Sequence, residues 1–93
     1  MNYIRVGWNH QHPNEPVILY SELDAGRFEV RKVEVFRDGR CQYASPEGSS
    51  GAKLGKVAIP ALSEIARDPQ FDVVEVTREE FEHMWARRDQ PAK

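Results

Sequence analysis

Hydrophobic and polar residues alternate along the first half of the chain, in the period-2 pattern of β-strands that have one apolar face. The first such segment covers residues 2–9 and carries its apolar side chains on even numbers: Ile4, Val6 and Trp8. Residues 9–16 are polar and contain two prolines, which cannot donate to a sheet ladder, so they predict a loop. Residues 17–23 are apolar on both sides, which indicates a central strand.

A turn and a change of phase define the third strand. Residues 24–26 form a three-residue hairpin connection in which Gly26 can adopt the left-handed conformation. In the strand that follows, the apolar positions move from even to odd numbers across Arg31 and Lys32. One extra residue returns the side chains to the same face, so we predict a β-bulge at these two residues.

The dipeptide Asp38-Gly39 predicts a second hairpin, because a Gly after Asp meets the requirement for positive φ in a two-residue type I′ turn. In that register Arg37 faces Arg40 at the hairpin tip. Directly opposed like charges are unfavourable unless they are screened. The two arginines therefore either hold an anion or an acidic partner surface, or are screened by water and by Asp38.

The second half of the chain mixes loop, helix and strand. Residues 45–55 are rich in Gly, Ser and Pro, which predicts a mobile loop that buries little and lacks the spacing of a phosphate-binding loop. Pro60 suits the first position of a short helix, and residues 71–76 have the apolar content of a strand.

The final helix has a well-specified start, because Thr77 and Glu80 have the spacing of a capping box. One stripe of this helix, formed by Phe81, Met84 and Trp85, is expected to pack on the sheet as core. Residues 90–93 predict a frayed tail.

These elements together predict the α+β class. We expect an antiparallel, twisted sheet of four to six strands with β-hairpins, one face of which is packed by two C-terminal helices. A chain of 93 residues fits a single domain covering 1–93, and its core is sufficient without metals or disulfides.

Composition narrows the cellular setting. Cys41 is the only cysteine, so no intramolecular disulfide forms, and no segment has the apolar run of a signal peptide or a membrane span. We therefore expect a cytoplasmic protein without a membrane partner. The net charge of -2 disfavours a dedicated nucleic-acid binder, which is usually strongly basic.

Candidate chemistry is sparse, so we predict no catalytic residue and no cofactor. The serines lack a nucleophile-elbow context, and a half-buried Cys41 would have a raised pKa that makes its thiol inert. His10 and His12 point to one side of an extended segment and could ligate a metal ion, but the sequence shows no third ligand, so solvated loop histidines are favoured and no metal site is predicted.

Recognition is better supported, because several residues are of the types that anchor protein interfaces. We predict a non-enzymatic protein-binding module, an immunity or regulatory partner, that uses Tyr20, Arg31, Arg37, Arg40 and Tyr43. This hypothesis requires the two tyrosines to lie on a sheet face that the helices leave open. The alternative is a small-ligand or metal-binding protein centred on His10, His12 and Tyr20.

The chain also resembles a family of small uncharacterised bacterial proteins built as single domains of about this length. The resemblance covers nearly the whole chain and rests on Tyr3-Ile4-x-Val6-x-Trp8, Glu15-Pro16-Val17 with Leu19-Tyr20-Ser21-Glu22, Glu29-Val30-Arg31-Lys32-Val33-Glu34 with Phe36-x-Asp38-Gly39, and Glu80-Phe81-Glu82-x-x-Trp85. It implies a bacterial cytoplasmic origin and a lone domain, with no catalytic assignment. In size and architecture such a domain is also similar to immunity proteins that neutralise toxins.

Overall fold

The computed structural model describes residues 1–91 and forms one open sheet in which every neighbouring pair of strands is antiparallel. Its strand order is β5-β4-β3-β2-β1-β6. This confirms the predicted α+β class. The elements are β1 (Asn2–Trp8), β2 (Ile18–Leu23), β3 (Glu29–Val35), β4 (Cys41–Ser45), β5 (Gly48–Ser49), α1 (Leu62–Ile65), β6 (Phe71–Glu75) and α2 (Arg78–Ala86).

Helix α2 covers one face of the sheet, here called the helix face. The ring of Phe81 is fully buried and its centroid lies 5.4 Å from that of Tyr3 on β1. Four residues further along the helix, Trp85 meets the ring of Tyr43 on β4 edge-on at 5.5 Å. The prediction that this aromatic stripe packs on the sheet is confirmed.

The opposite face, here called the loop face, is crossed by residues 51–60 on their way from β5 to β6. Lys32 Nζ donates to the Lys53 carbonyl at 3.0 Å, and the Gly55 N–H donates to Glu29 Oε1 at 2.7 Å. Ala52 in this segment is buried. The predicted loop over residues 45–55 therefore contains a short strand, β5, and one buried residue, Ala52, while most of its other residues are exposed, as predicted.

The first hairpin turns one residue later than predicted. The Asp24 N–H donates to the Phe28 carbonyl, so the loop is 25–27, and the left-handed residue is Arg27 at φ 67° rather than Gly26. The Arg27 side chain donates to the carbonyls of Ile59 and Pro60, both at 2.8 Å. These bonds to the crossing segment hold a conformation that is uncommon for a non-Gly residue.

The second hairpin also has a three-residue loop, residues 37–39, instead of the predicted two-residue turn. The Phe36 N–H donates to the Arg40 carbonyl, and Gly39 takes the positive φ of 91°. A type I turn followed by a left-handed Gly accepts the same Asp-Gly dipeptide as a type I′ turn. The pairing of β3 with β4 is consequently shifted by one residue, and Arg37 does not face Arg40.

The β-bulge lies in β3, as predicted, but its extra residue comes one position before the predicted pair Arg31 and Lys32. Glu22 pairs with Arg31 and Leu23 pairs with Glu29, so Val30 is the extra residue. Its effect is the predicted one, because the bulge keeps Arg31 on the helix face after the change of phase.

The C-terminal third begins with α1, which packs beside the edge strand β6. Helix α2 starts at a cap in which Thr77 Oγ1 accepts the Glu80 N–H at 3.1 Å. Beyond it, the Gln90 carbonyl accepts the Cys41 N–H at 2.8 Å, so the first residue of the predicted frayed tail is anchored to β4. Residues 92 and 93 of that tail lie outside the described residues. None of the helices in 1–91 has the length and apolar character needed to cross a membrane.

Candidate functional site

Helix α2 crosses its face diagonally and leaves one corner of the sheet uncovered. Its first turns lie over Tyr3, near the start of β1, and its last turn reaches Tyr43 on β4. The open corner is formed by the end of β1 and the starts of β2 and β6. It contains a cavity of about 640 Å³, here called the sheet-end cleft, lined by Gly7, Trp8, Asn9, His10, Gln11, Val17, Ile18, Arg37 and Asp72.

Gly7 forms the floor of the cleft. It pairs with Ile18 on one side and with Asp72 on the other, so the three residues share the helix face. A Cβ at this position would lie 3.6 Å from both Asp72 Cβ and the Asp72 carbonyl oxygen, which is ordinary van der Waals contact. Gly7 is not among the residues with positive φ.

Neither backbone conformation nor crowding therefore requires a glycine at this position, next to the last residue of β1. Glycine weakens a strand interior, and where no bulge or bend explains it, it marks a place where a ligand or another backbone approaches closely. The pairing of β1 with β6 continues through Gly7 to Trp8, and the pairing with β2 is regular up to Gly7. The missing side chain opens the cleft between Ile18 and Asp72.

The wall of the cleft is the β1–β2 loop, which His10 holds in place. His10 Nε2 is 2.7 Å from the Pro16 carbonyl, and His10 Nδ1 accepts the His12 N–H at 2.9 Å. Because a carbonyl only accepts and an N–H only donates, these contacts require the tautomer with its hydrogen on Nε2. Arg37 Nη2 donates to the His10 carbonyl at 2.7 Å and ties the second hairpin to the loop.

Two opposite charges line the cleft. The side chains of Arg37 and Asp72 belong to exposed residues, and in residues 1–91 neither forms an ion pair. Arg37 uses one N–H on the His10 carbonyl and keeps further donors for a ligand. Val17 and Ile18 add apolar surface, and Asn9 and Gln11 contribute carboxamides. The cleft therefore combines a cation, an anion and an apolar floor.

An aromatic stack supports the loop from the other side. The Trp8 ring lies 4.1 Å from the ring of His10 and 6.3 Å from that of Phe71, and Trp8 Nε1 donates to Gln70 Oε1 at 3.3 Å. The His10 and His12 rings stack at 5.3 Å. In the part of the chain that is described, no three His, Cys, Asp or Glu side chains form a group that could hold a metal ion.

At the opposite end of the helix face, Arg31 makes four hydrogen bonds to carboxylates. It donates to both oxygens of Glu22 at 2.6 and 2.9 Å, and to both oxygens of Glu82 at 3.1 and 2.9 Å. Its guanidinium carbon also lies 4.9 Å from the ring centroid of Phe81 and 5.0 Å from that of Trp85. This cluster, here called the Arg31 clamp, fastens α2 to β2 and β3.

The clamp shifts the protonation of its neighbours. Hydrogen bonds from Arg31 hold the pKa of Glu22 below its ordinary value, although burial acts in the opposite direction. The pKa of Glu82 is lowered by the same donor. Burial raises the pKa of Tyr3, and a hydrogen bond to Glu22 adds to that effect. Both glutamates therefore remain ionised partners of Arg31 at neutral pH.

The other residues predicted to bind a partner contact other parts of the chain or lie away from the sheet-end cleft. Arg40 lies over the ring of Phe36 at 4.1 Å, and Tyr43 is covered by Trp85 and by the Arg88 guanidinium at 5.1 Å. Tyr20 is half-buried on the helix face and does not line the sheet-end cleft. Of the predicted set, Arg37 and His10 come together at the cleft, while Arg31, Arg40 and Tyr43 are engaged within the fold.

Cys41 is buried at the start of β4, and burial raises the pKa of its thiol. The predicted direction of this shift is confirmed. Its partner in β3 is Val35.

Sequence reasoning missed Gly7 and Asp72. Gly7 is a glycine between Val6 and Trp8 in a predicted strand, which is a readable signal. Asp72 becomes meaningful only when β6 pairs with β1, a contact between residues 65 positions apart that periodicity does not reveal.

A comparison with protein-family models places the chain in a family: residues 2–90 match the model described as a domain of unknown function, DUF6881. The chain belongs to this family, as its resemblance to an uncharacterised single-domain family predicted. No curated protein and no solved structure matches it.

Proposed function

We propose that this domain binds a small molecule in the sheet-end cleft. The observation that carries the proposal is Gly7, a glycine in a regular strand whose missing side chain opens a cavity of about 640 Å³ beside unpaired charges. Ligand pockets usually have volumes of about 300–1,000 Å³ and combine apolar walls with a few polar groups. The cleft has both properties.

The cleft is also held in shape before any ligand arrives. His10 bonds across the β1–β2 loop, and Arg37 fastens the second hairpin to the same loop. A preorganised site loses less conformational entropy on binding. This rigidity supports recognition of a ligand rather than closure of a mobile loop around one.

This ligand site develops the alternative drawn from the sequence, which was centred on His10, His12 and Tyr20, and its centre is now Gly7. A protein-binding module, such as an immunity or regulatory partner, has less support, because Arg31, Arg40 and Tyr43 are engaged by other parts of the chain. Of the residues predicted to bind a protein partner, Arg37 and Tyr20 stay available for that contact. A bacterial origin stays part of the proposal, and the lone Cys41 supports a cytoplasmic setting.

The test is a fragment screen followed by two-dimensional ¹H–¹⁵N NMR of the full chain. We expect hits that contain a polar group and a short apolar body, with dissociation constants of about 1 mM or tighter. Their chemical-shift changes should concentrate at the amides of Gly7, Gln11 and Asp72.

The amides of β5, at the far edge of the sheet, provide the internal control and should not move. Hits that cluster over β4 and β5, or the absence of any hit at the cleft, would contradict the proposal. A purified protein partner whose binding shifts Arg37 and Tyr20 but not Gly7 would favour the protein-binding hypothesis instead.

A further inference from the structure

We infer that the cleft selects zwitterions, small molecules that carry a carboxylate at one end and an ammonium group at the other. The inference rests on the proposed function and specifies its ligand. Arg37 is the partner for the carboxylate, Asp72 is the partner for the ammonium, and Ile18 contacts the apolar chain between them.

The order of the strands separates the two charges. Asp72 lies on β6 and Ile18 on β2, with Gly7 of β1 between them. Neighbouring strands are about 4.8 Å apart, so the floor from Asp72 to Ile18 spans about 10 Å. Arg37 reaches the cleft from beyond that floor, at the hairpin that follows β3. A ligand that contacts both charges must therefore carry its own charges at opposite ends.

The absence of other charged groups in the cleft lining decides against a ligand of one sign. Among the residues lining the cleft, Arg37 is the cation and Asp72 the carboxylate, and His10 is neutral in the tautomer that its contacts require. A dianion would meet Asp72, and a dication would meet Arg37. A zwitterion leaves neither charge facing a like charge, and Gly7 gives its chain room to lie flat between Ile18 and Asp72.

The geometry also favours an ω-amino acid over an α-amino acid, whose charges are adjacent. The experiment is calorimetric titration of the full chain with the series from glycine to 6-aminohexanoic acid. Each long member is compared with its two single-charge analogues, the carboxylate without the amine and the amine without the carboxylate.

We expect affinity to rise with chain length and the best zwitterion to bind about tenfold more tightly than either analogue, the effect of one charge-assisted hydrogen bond. Arg37→Gln should remove the preference for the zwitterion over the analogue that carries only the amine. Asp72→Asn should remove the preference for the zwitterion over the analogue that carries only the carboxylate. Arg67→Gln and Glu75→Gln, at exposed positions outside the cleft, are the matched controls and should change neither.

Equal binding of the zwitterion and its single-charge analogues would overturn the inference. Loss of binding in Arg37→Gln without any effect in Asp72→Asn would also overturn it. If fragments bind the cleft but no zwitterion does, the inference fails and the proposed function stands. If neither fragments nor zwitterions bind there, both fail.

Discussion

The charged side chains at the two ends of the helix face differ in whether they form ion pairs. At the Arg31 clamp, one guanidinium makes four hydrogen bonds to two carboxylates beneath aromatic rings. At the sheet-end cleft, Arg37 and Asp72 face a cavity with no ion pair between them. Both ends lie on the same face of one sheet, so the difference comes from what covers them.

The direction of α2 determines which part of the helix face is covered. The helix begins above Tyr3 and ends against Tyr43, so it buries one diagonal of the face and leaves the corner around Gly7 open. Charges under the helix must be paired because burial without partners is costly. Charges at the open corner remain solvated, which costs little stability and keeps them available for a ligand.

The largest effect is expected from removing the centre of the clamp. Arg31→Met should lower the free energy of unfolding by about 2–3 kcal/mol, because it leaves the buried carboxylate of Glu22 without its partner. Urea unfolding followed by tryptophan fluorescence measures the loss.

The control for that variant is Arg78→Met in the same cluster. Arg78 is mostly exposed and lies 3.8 Å from Glu82, so its removal should change stability by less than about 0.5 kcal/mol. Equal losses in the two variants would show that the clamp is an ordinary surface ion pair.

The clamp should also set the acid limit of the fold. The pKa values of Glu22 and Glu82 are lowered in the folded state, so their contribution is present above the unfolded pKa of about 4.3 and is lost as pH falls through the lower folded values. The free energy of unfolding, measured in urea at a series of pH values, should fall steeply below about pH 4.3. Arg31→Met should make that fall shallower, and an unchanged slope would contradict the assignment.

At the cleft, filling the floor should stabilise the fold. Gly7→Val adds a β-branched side chain to a regular strand and should raise the free energy of unfolding by about 0.5–1 kcal/mol. For a domain of this size the melting temperature should rise by about 2–8 °C. Gly7→Ala should give a smaller rise, and a lower melting temperature in both variants would mean that the fold itself requires the glycine.

The smallest effect concerns a half-buried carboxylate on the loop face. Burial raises the pKa of Glu34, although the charge of Lys32 acts in the opposite direction. Its ionised form therefore opposes folding, and this cost appears as pH rises through the raised folded pKa. Glu34→Gln should raise the urea midpoint slightly at pH 7 and not below about pH 4, the range in which Glu is already protonated. A gain that is the same at both pH values would point to packing instead.

Local patterns predicted the elements of this fold better than the contacts between them. Alternation located the strands, and the capping residue Thr77 marked the start of α2. The turns were harder, because Asp38-Gly39 suits two loop lengths that differ by one residue in register. That single residue separated Arg37 from Arg40, which removed the arginine pair expected at the hairpin tip.

The candidate site was harder still, because its residues meet through long-range pairing. Arg37 and His10 were recognised as candidates, but their shared position depends on a hydrogen bond between two loops. Asp72 reaches the site only because β6 joins the edge of β1. Gly7 could have been recognised from the sequence, since a glycine weakens a strand and often marks a place where a ligand or another backbone approaches closely.

Ligand binding at the sheet-end cleft is tested most directly by repeating the fragment screen on Gly7→Val, with Asn2→Val in the same strand as the control. Asn2 is exposed and lies at the other end of β1, so its substitution adds the same side chain away from the cleft. We predict that ligands which shift the Gln11 and Asp72 amides of the native chain still bind Asn2→Val and no longer bind Gly7→Val, which remains folded. Binding that survives in Gly7→Val would contradict it.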